Sequence, residues 1–224
     1  MSGGADLLRG LVDRTLVISM PGHPRRKHIE RHFSDMGIAF EFFDAFDGRQ
    51  MDLSSLIAGG ATQAMNEHWK RRHTPQEVGC YFSHVAAMMY AIGRGWRRVM
   101  ICEDDAAFLY TPQATREALE AAPADADMLY FFSVVQPGSG VRQDVGRRPV
   151  NPHWRTAYQE GNGAVCYVAN AKTLSYLLRN SLPMRYELDG LTKWPSCEWC
   201  DVGLVSYISD PLLCGCGHFP STIR

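Results

Sequence analysis

Several features that would place the chain in a specialised class are absent from the sequence. The 23 Lys and Arg residues are balanced by 24 Asp and Glu residues, so the formal net charge is -1. A chain so close to neutrality has no overall electrostatic attraction for nucleic acid or for an anionic membrane. No internal repeat or low-complexity tract interrupts the 224 residues. Because hydrophobic residues make up 46% of the chain, we expect a folded protein with a buried core.

Long hydrophobic runs are also missing. The apolar run near the N-terminus, from Leu16 to Met20, has the length of a strand, whereas a membrane-spanning helix needs about 20 apolar residues. The first residues lack the basic start and the apolar core of a signal peptide. We therefore expect a cytoplasmic protein, with at most peripheral contact to the inner face of a membrane.

The cysteine content does not fit a protein held together by disulfides. The chain has seven cysteines, an odd number, which favours a reducing compartment. Four of them form two close pairs late in the chain, and such pairs can hold a structural zinc ion. These are Cys197, Cys200, Cys214 and Cys216. Free or buried thiols are the alternative for these four, and packing in the core is expected for Cys80, Cys102 and Cys166.

Hydrophobic periodicity and turn residues predict strands that alternate with helices. The predicted strands are 15–20, 40–46, 96–102, 128–133 and 164–169, and the predicted helices are 25–36, 75–94, 113–121 and 172–179. A long loop rich in Gly, Pro and Arg is predicted over 136–153. This order is typical of an α/β domain with a largely parallel sheet. We expect one such domain over 15–224, preceded by an N-terminal extension over 1–14.

Three carboxylates follow the predicted strand 96–102. They belong to Glu103, Asp104 and Asp105, and ligands of open α/β sheets bind outside the carboxyl ends of the strands. Adjacent acids repel one another unless a cation offsets their charge. In extended chain Glu103 and Asp105 project to the same face, and carboxylate oxygens suit Mg²⁺ or Mn²⁺. The pattern predicts a metal site for the phosphates of a nucleotide, and an acidic strand end that faces water is the alternative.

The helix that leads into this strand carries a second polar pattern. Thr74, Pro75 and Glu77 have the spacing of a capping box with proline at the first helical position. Glu77 and His84 are seven residues apart, so a helix places them on nearly the same side. An acid and an imidazole there can bind a ligand or orient each other, whereas a buried histidine with a structural partner is the alternative.

Together these two segments resemble glycosyltransferase family 25, which includes bacterial lipopolysaccharide galactosyltransferases and collagen hydroxylysine galactosyltransferases. The family pattern is a Thr-x-x-Glu-x-Gly-Cys-x-x-Ser-His helix followed by an apolar strand that ends in Glu-Asp-Asp. The matching residues here are Thr74, Glu77, Gly79, Cys80, Ser83 and His84, followed by Glu103, Asp104 and Asp105. The opening strand and the segments 42–48, 163–178, 186–190 and 221–223 are similar to further parts of the family pattern.

The resemblance implies a GT-A type fold, which is a Rossmann-like α/β domain, and an inverting transfer of a hexose. It implies a UDP-sugar donor, most often UDP-galactose, a divalent metal, usually Mn²⁺, and an oligosaccharide, glycolipid or glycoprotein acceptor such as a lipopolysaccharide oligosaccharide. The metal is expected on Glu103 and Asp105, and the catalytic base is expected at Asp189, with Asp201 as the second candidate. The predicted donor-binding residues are Ser19, Arg25, Arg26, Asp47, Glu77, Ser83, His84 and Asp104.

Two other interpretations remain open at this stage. A catalytically inactive protein with the same fold would bind a nucleotide sugar or a glycan without turnover. The unusual turn from Pro21 to Pro24, where donor contacts are expected, favours that interpretation. A nucleotidyltransferase or a phosphatase would use the same acids. The sequence lacks the Gly-rich, Arg-containing first loop of the former and the Asp-x-Asp-x-Thr motif of the latter.

Overall fold

The computed structural model describes residues 6–134, 148–158, 163–196 and 202–217, which form strands that alternate with helices. The strands are β1 (Arg14–Ser19), β2 (Glu41–Asp44), β3 (Arg98–Glu103), β4 (Ala106–Phe108), β5 (Met128–Tyr130), β6 (Pro149–Asn151), β7 (Trp154–Thr156), β8 (Cys166–Asn170), β9 (Ser206–Ser209) and β10 (Cys214–Cys216). The helices are α1 (Arg25–Met36), α2 (Leu53–Ala58), α3 (Pro75–Gly93), α4 (Pro112–Glu120), α5 (Ala171–Arg179) and α6 (Leu188–Thr192). Short 3-10 helices lie at Gly48–Gln50 and Trp194–Ser196.

The central sheet has the strand order β2-β1-β3-β8-β5-β9-β7-β6, and β4 pairs separately with β10. Three neighbouring pairs in the central sheet are parallel, namely β1 with β2, β1 with β3, and β5 with β9. The other four pairs are antiparallel, and β8 opposes both of its neighbours, β3 and β5. The predicted α/β domain with a Rossmann-like sheet is confirmed, and the sheet is mixed. Hydrophobicity could not reveal the direction of β8, because a strand buried on both faces is apolar in either direction.

Both faces of the sheet are covered, which explains the continuous apolar runs of its central strands. On β1, Val17 contributes to one core cluster, whereas Leu16 and Ile18 contribute to the other. The first cluster includes Ile29 and Phe33 of α1, and the second includes residues of α3 and α5. The helices α1 and α3 therefore pack on opposite faces of the sheet. Among the described residues, no helix combines the length and hydrophobicity that crossing a membrane requires.

Local sequence signals account for the ends of the two longest helices. Helix α1 occupies the predicted range and is closed by Gly37, which has the left-handed φ of 69° that glycine adopts without strain. Helix α3 begins with the predicted capping box: the Glu77 amide donates to the Thr74 hydroxyl (3.2 Å), and the Thr74 amide donates to the Glu77 carboxylate (2.8 Å). The start of α3 is thus fixed by its own sequence.

The region around the predicted loop 136–153 differs from expectation. Residues 135–147 lie outside the described part of the chain, but 149–156 form the hairpin of β6 and β7 at the edge of the sheet. Trp154 anchors this hairpin: its side chain is fully buried, and its indole N–H donates to the Ala118 carbonyl (2.7 Å). The loop prediction was wrong at its C-terminal end because short strands carry little periodicity.

The predicted N-terminal extension is described from residue 6 onward. Leu7 and Leu8 are buried in the same core cluster as α1. The Leu7 amide also donates to the Gly37 carbonyl (2.8 Å), just beyond the end of α1. These contacts join the extension to the domain, and the boundary at residue 15 stays a prediction.

Candidate active site

A cleft of about 600 Å³ opens at the carboxyl ends of β1 and β3. Four parts of the chain line it: residues 18–25 around the end of β1, residues 45–49 after β2, the first half of α3, and the end of β3. Seven residues predicted to act at the site are among those lining it. They are Ser19, Arg25, Asp47, Ser83, His84, Glu103 and Asp104.

Arg25, at the start of α1, neutralises two of the three consecutive acids. Its side chain is almost fully buried, and Nη1 lies 3.1 Å from Asp104 Oδ1 and 3.4 Å from Asp105 Oδ2. The Ser19 hydroxyl donates to Asp104 Oδ2 (2.7 Å). Charges removed from water need such partners. Asp104 is therefore held by α1 and β1, and part of the counter-charge that the acidic cluster requires comes from Arg25.

The carboxylate of Asp105 is only partly compensated by its surroundings. Its Oδ1 is buried and has no hydrogen-bond partner within the described part of the chain. Burial and the neighbouring Glu103 raise the pKa of Asp105 to about 6, although Arg25 opposes the shift. Asp105 is not among the described residues that line the cleft. Its assignment as a metal ligand stays a prediction.

The side chain of Glu103 lies near helix α3, whereas Asp104 and Asp105 lie near Arg25. Its Oε1 lies 3.6 Å from His84 Nε2 and 3.8 Å from Cys80 Sγ. One potential ligand atom from each of these three residues lies within 4.8 Å of the other two. Cys80 was expected to pack in the core, but it lines the cleft and is only partly buried. The four-residue spacing from His84 indicated that both side chains lie on one side of the helix, but it did not reveal the approach of Glu103.

Glu77 is occupied by structural contacts. Besides capping α3, its carboxylate accepts from both Nη atoms of Arg71 (2.9 and 2.5 Å). Burial raises the pKa of Glu77, but the hydrogen bonds from Arg71 and Thr74 outweigh it, so the pKa lies below its usual value. Glu77 is outside the described cleft lining, and a contact with the donor stays a prediction.

We expect Glu77→Ala to lower the free energy of unfolding by about 1–3 kcal/mol, because the helix cap is lost and Arg71 loses its partner. Arg71→Ala should cost less, since the Arg71 side chain is half exposed. Since the folded-state pKa of Glu77 is lowered, the stabilisation should be complete above its unfolded pKa of about 4.3 and should disappear as the pH falls through the folded value. Urea denaturation at several pH values measures both effects. Equal losses in the two variants at neutral pH would contradict the capping role.

Ser83 fastens the turn after β2 onto α3. Its hydroxyl donates to the Gly79 carbonyl (2.6 Å) and accepts from the Phe46 amide (2.8 Å). Asp47 then begins the 3-10 helix 48–50, and the hydrogen bonds from Arg49 lower the pKa of Asp47 to about 2. These contacts present the ionised Asp47 and the ring of Phe46 at the wall of the cleft.

Arg26 faces the strand ends instead of the cleft. Its Nη2 donates to the Ser19 carbonyl (2.8 Å) and pairs with Asp44 at the end of β2. The guanidinium also lies over the ring of Phe42, 4.5 Å from its centroid. Arg26 thereby joins the ends of β1 and β2. It is not among the described residues that line the cleft, so its predicted contact with the donor stays a prediction.

Asp189 lies in the first turn of α6 and is not among the described residues that line the cleft. Its Oδ1 accepts from the Ala164 amide (3.1 Å). Burial raises the pKa of Asp189 to about 6, the backbone hydrogen bonds of Gly163 and Ala164 oppose this, and the charge of Glu103 adds to it. A partly buried carboxyl with such a pKa is ionised near neutral pH and still able to accept a proton. The second candidate, Asp201, lies outside the described residues.

The predicted zinc pairs are described only in part. Cys197 and Cys200 lie outside the described residues, as does the segment 221–223. Cys214 is buried and interacts with Cys166, whereas Cys216 is exposed. Cys102 and Cys166 are buried with their sulfur atoms 3.2 Å apart, so their predicted place in the core is confirmed. The structural zinc site stays a prediction.

Comparison with known proteins agrees with this geometry. The family model described as Glycosyltransferase family 25 (LPS biosynthesis protein) matches residues 12–192. "Inactive glycosyltransferase 25 family member 3" of Homo sapiens is 29% identical over 175 residues, which are 75% of this chain and 27% of that protein. "Glycosyltransferase 25 family member" of Drosophila melanogaster is 30% identical over 127 residues, or 54% of this chain and 21% of that protein.

A bacterial relative matches over a longer part of its own length. "Putative glycosyltransferase" of Haemophilus influenzae is 27% identical over 200 residues, which are 84% of this chain and 65% of that protein. The chain spans about a quarter of the length of the animal relatives described above. Because the family match extends from β1 to α6 and includes both polar patterns, the chain belongs to glycosyltransferase family 25.

Proposed function

We propose that the chain is a metal-dependent, inverting glycosyltransferase. It would transfer the hexose galactose from a UDP-sugar to a glycan acceptor such as a lipopolysaccharide oligosaccharide. Family membership supports glycosyl transfer in general. The observation that carries the proposal is the cleft at the carboxyl ends of β1 and β3, with its buried arginine and its acids. Its volume of about 600 Å³ is within the range of pockets that enclose small ligands. We place the reaction in the cytoplasm.

The cleft offers groups suited to both ends of a UDP-sugar. Phe46 is half exposed on the wall, and its backbone is fixed by Ser83, so its ring can stack on a uracil base. Arg25 and Arg49 line the same cleft and supply positive charge for a diphosphate. Asp47 and Asp104 accept hydrogen bonds and would bind hydroxyl groups of the sugar or ribose. This arrangement supports binding of the donor across the end of the sheet.

In the transfer step, the acceptor hydroxyl oxygen forms a bond to the anomeric carbon while the bond from that carbon to the UDP oxygen breaks. Asp189 takes the proton of the acceptor hydroxyl, and because Asp189 lies outside the described lining of the donor cleft, the acceptor would bind beside that cleft. A cation held by Glu103, with Asp105 as the second predicted ligand, would neutralise negative charge on the departing diphosphate. Arg25 adds a fixed positive charge beside it.

A second candidate function is binding of a nucleotide sugar or a glycan without turnover. The name of the human relative contains the word inactive, which favours this candidate. The two candidates agree on the donor cleft and differ in the transfer step. They are therefore separated by an assay that measures binding and product formation on the same protein.

The test is thermal unfolding with UDP or UDP-galactose, each with and without Mn²⁺, and with GDP as the control nucleotide. Both uridine ligands should raise the melting temperature in the presence of Mn²⁺, by an amount equivalent to about 2.7 kcal/mol at 100 times Kd. UDP release from UDP-galactose in the presence of glycan acceptors then measures transfer. Absence of any Mn²⁺-dependent stabilisation would contradict the proposal. Stabilisation without UDP release on any acceptor would favour the binding protein.

A further inference from the structure

The cluster of Cys80, His84 and Glu103 has the composition and the spacing of a metal site. Cys80 and His84 are four residues apart on α3, so the helix presents them side by side, and Glu103 meets them from the end of β3. An oxygen, a nitrogen and a sulfur atom from these residues lie close together. Among their described contacts there is no lysine or arginine that would neutralise Glu103. All three residues line the cleft. The cluster is thus held by α3 and β3 and opens to the cleft.

His84 supplies an independent indication that a cation belongs between these groups. Its side chain is fully buried, and Nδ1 is fixed by the hydroxyl of Tyr167 (3.1 Å). Its Nε2 has no hydrogen-bond partner within the described part of the chain, although it points at Glu103 Oε1, 3.6 Å away. If Nδ1 carries the proton, the lone pair of Nε2 faces a carboxylate oxygen, which is repulsive. If Nε2 carries it, a buried donor is left at 3.6 Å without a proper hydrogen bond.

The two distances from Glu103 to its neighbours in this cluster agree with a shared metal ion. Metal bonds of about 2.0–2.3 Å at tetrahedral angles separate neighbouring ligand atoms by about 3.3–3.6 Å. The observed separations of 3.6 Å for nitrogen to oxygen and 3.8 Å for sulfur to oxygen are only a few tenths of an ångström larger. Tyr167 stands where a metal-bound histidine needs an outer partner, because a hydrogen bond at Nδ1 leaves Nε2 free for the metal.

We propose that Cys80, His84 and Glu103 together bind a late first-row divalent cation such as Zn²⁺ or Co²⁺, with a further coordination position open to the cleft. A thiolate and an imidazole bind these cations more tightly than Mn²⁺ or Mg²⁺, which prefer oxygen ligands. The site shares Glu103 with the predicted oxygen site, but it has Cys80 and His84 where that site has Asp105, and it prefers a different metal. The inference does not rest on the transfer reaction, because the metal binds to side chains that are already in place.

The test is titration of the metal-free full chain with Co²⁺ in the absence of any nucleotide. A bond between Co²⁺ and a thiolate produces an ultraviolet charge-transfer band, so the band reports directly on a cysteine ligand. We expect one saturable band, and Zn²⁺ should abolish it at concentrations at which Mn²⁺ leaves it intact. Cys80→Ser should remove the band and weaken Co²⁺ binding by more than about 10-fold. Substitution of a residue that only supports a metal ligand already lowers metal affinity by about 10–100-fold.

Matched variants distinguish this site from the predicted oxygen site and from the predicted zinc pairs. Cys216→Ser should keep the band, and so should a Cys197→Ser/Cys200→Ser variant, which lacks half of the predicted zinc pairs. Asp105→Asn should also keep it, whereas Glu103→Gln should weaken Co²⁺ binding. Circular dichroism confirms that each variant is folded. A band that persists at full strength in Cys80→Ser, or that disappears in the Cys197→Ser/Cys200→Ser variant, would overturn the inference. Loss of UDP binding with an intact band would instead count against the proposed function alone.

Discussion

Asp189→Asn is expected to lower the rate of sugar transfer by about 10²–10⁴-fold, the usual contribution of a positioned general base. Binding of UDP should be unchanged in the same variant, because Asp189 lies outside the described lining of the donor cleft. Asparagine is nearly isosteric with aspartate, and its side-chain oxygen can still accept from the Ala164 amide. The variant therefore removes the proton acceptor and preserves the local structure.

The physical reason for choosing Asp189 is its environment. Other acids near the cleft are neutralised: Asp104 by Arg25, and Asp47 by Arg49. Among the described contacts of Asp189 there is no cation, and burial raises its pKa to about 6. A base must be ionised at working pH and yet basic enough to accept a proton, and a pKa near neutrality meets both requirements.

Steady-state kinetics with thermal-shift titration of UDP on the same preparations measures the effect. Glu187→Gln is the matched control, since Glu187 belongs to the same segment and accepts from the side-chain amide of Asn66 (2.8 Å), a contact that glutamine can retain. It should leave kcat within the range of the unaltered chain. Asp201→Asn is the comparison for the second candidate. A large loss of kcat in Asp201→Asn, together with near-normal turnover in Asp189→Asn, would assign the base to Asp201.

Features determined by neighbours in sequence were predictable. The capping box at Thr74 and Glu77 and the helix stop at Gly37 depend on residues within one turn of the helix, so the sequence pattern specifies them. The position of Glu103, Asp104 and Asp105 at a carboxyl end followed from strand hydrophobicity alone. The location of the cleft at that edge of the sheet was therefore predictable as well.

The partners of the acids were not predictable, because they come from distant parts of the chain. Arg25 is 79 residues from Asp104, and the sequence gives no measure of how α1 approaches β3. The same applies to Cys80, which was expected to pack in the core because it lies on a largely apolar helix. Only the approach of Glu103 makes this thiol part of a polar cluster. The sequence thus identified the acids but not their partners. Asp104 and Asp105 lie beside Arg25, whereas Glu103 lies beside Cys80 and His84.

Substitution of Gly79 by alanine is expected to cause a large loss of stability. A Cβ at this position would lie 2.6 Å from the Gly48 amide nitrogen and 2.8 Å from the Phe46 carbonyl oxygen. Both obstacles are backbone atoms, so no side-chain rotation can relieve the overlap. The same close contact exists on the other side, because a Cβ at Gly48 would lie 1.6 Å from the Pro75 carbonyl oxygen. The two glycines allow the turn after β2 to lie directly against α3.

We expect Gly79→Ala to lower the free energy of unfolding by about 1–3 kcal/mol or more, the range for overpacked sites. It should also weaken UDP binding, because the displaced turn carries Phe46 and Asp47 into the cleft wall. Gly93→Ala is the matched control at the other end of α3, where an added Cβ meets no atom within 4 Å. That change should be neutral or should stabilise the helix by about 0.5–1 kcal/mol. If Gly79→Ala matched Gly93→Ala in urea denaturation and in UDP affinity, contact between the turn and α3 would not be what shapes the cleft.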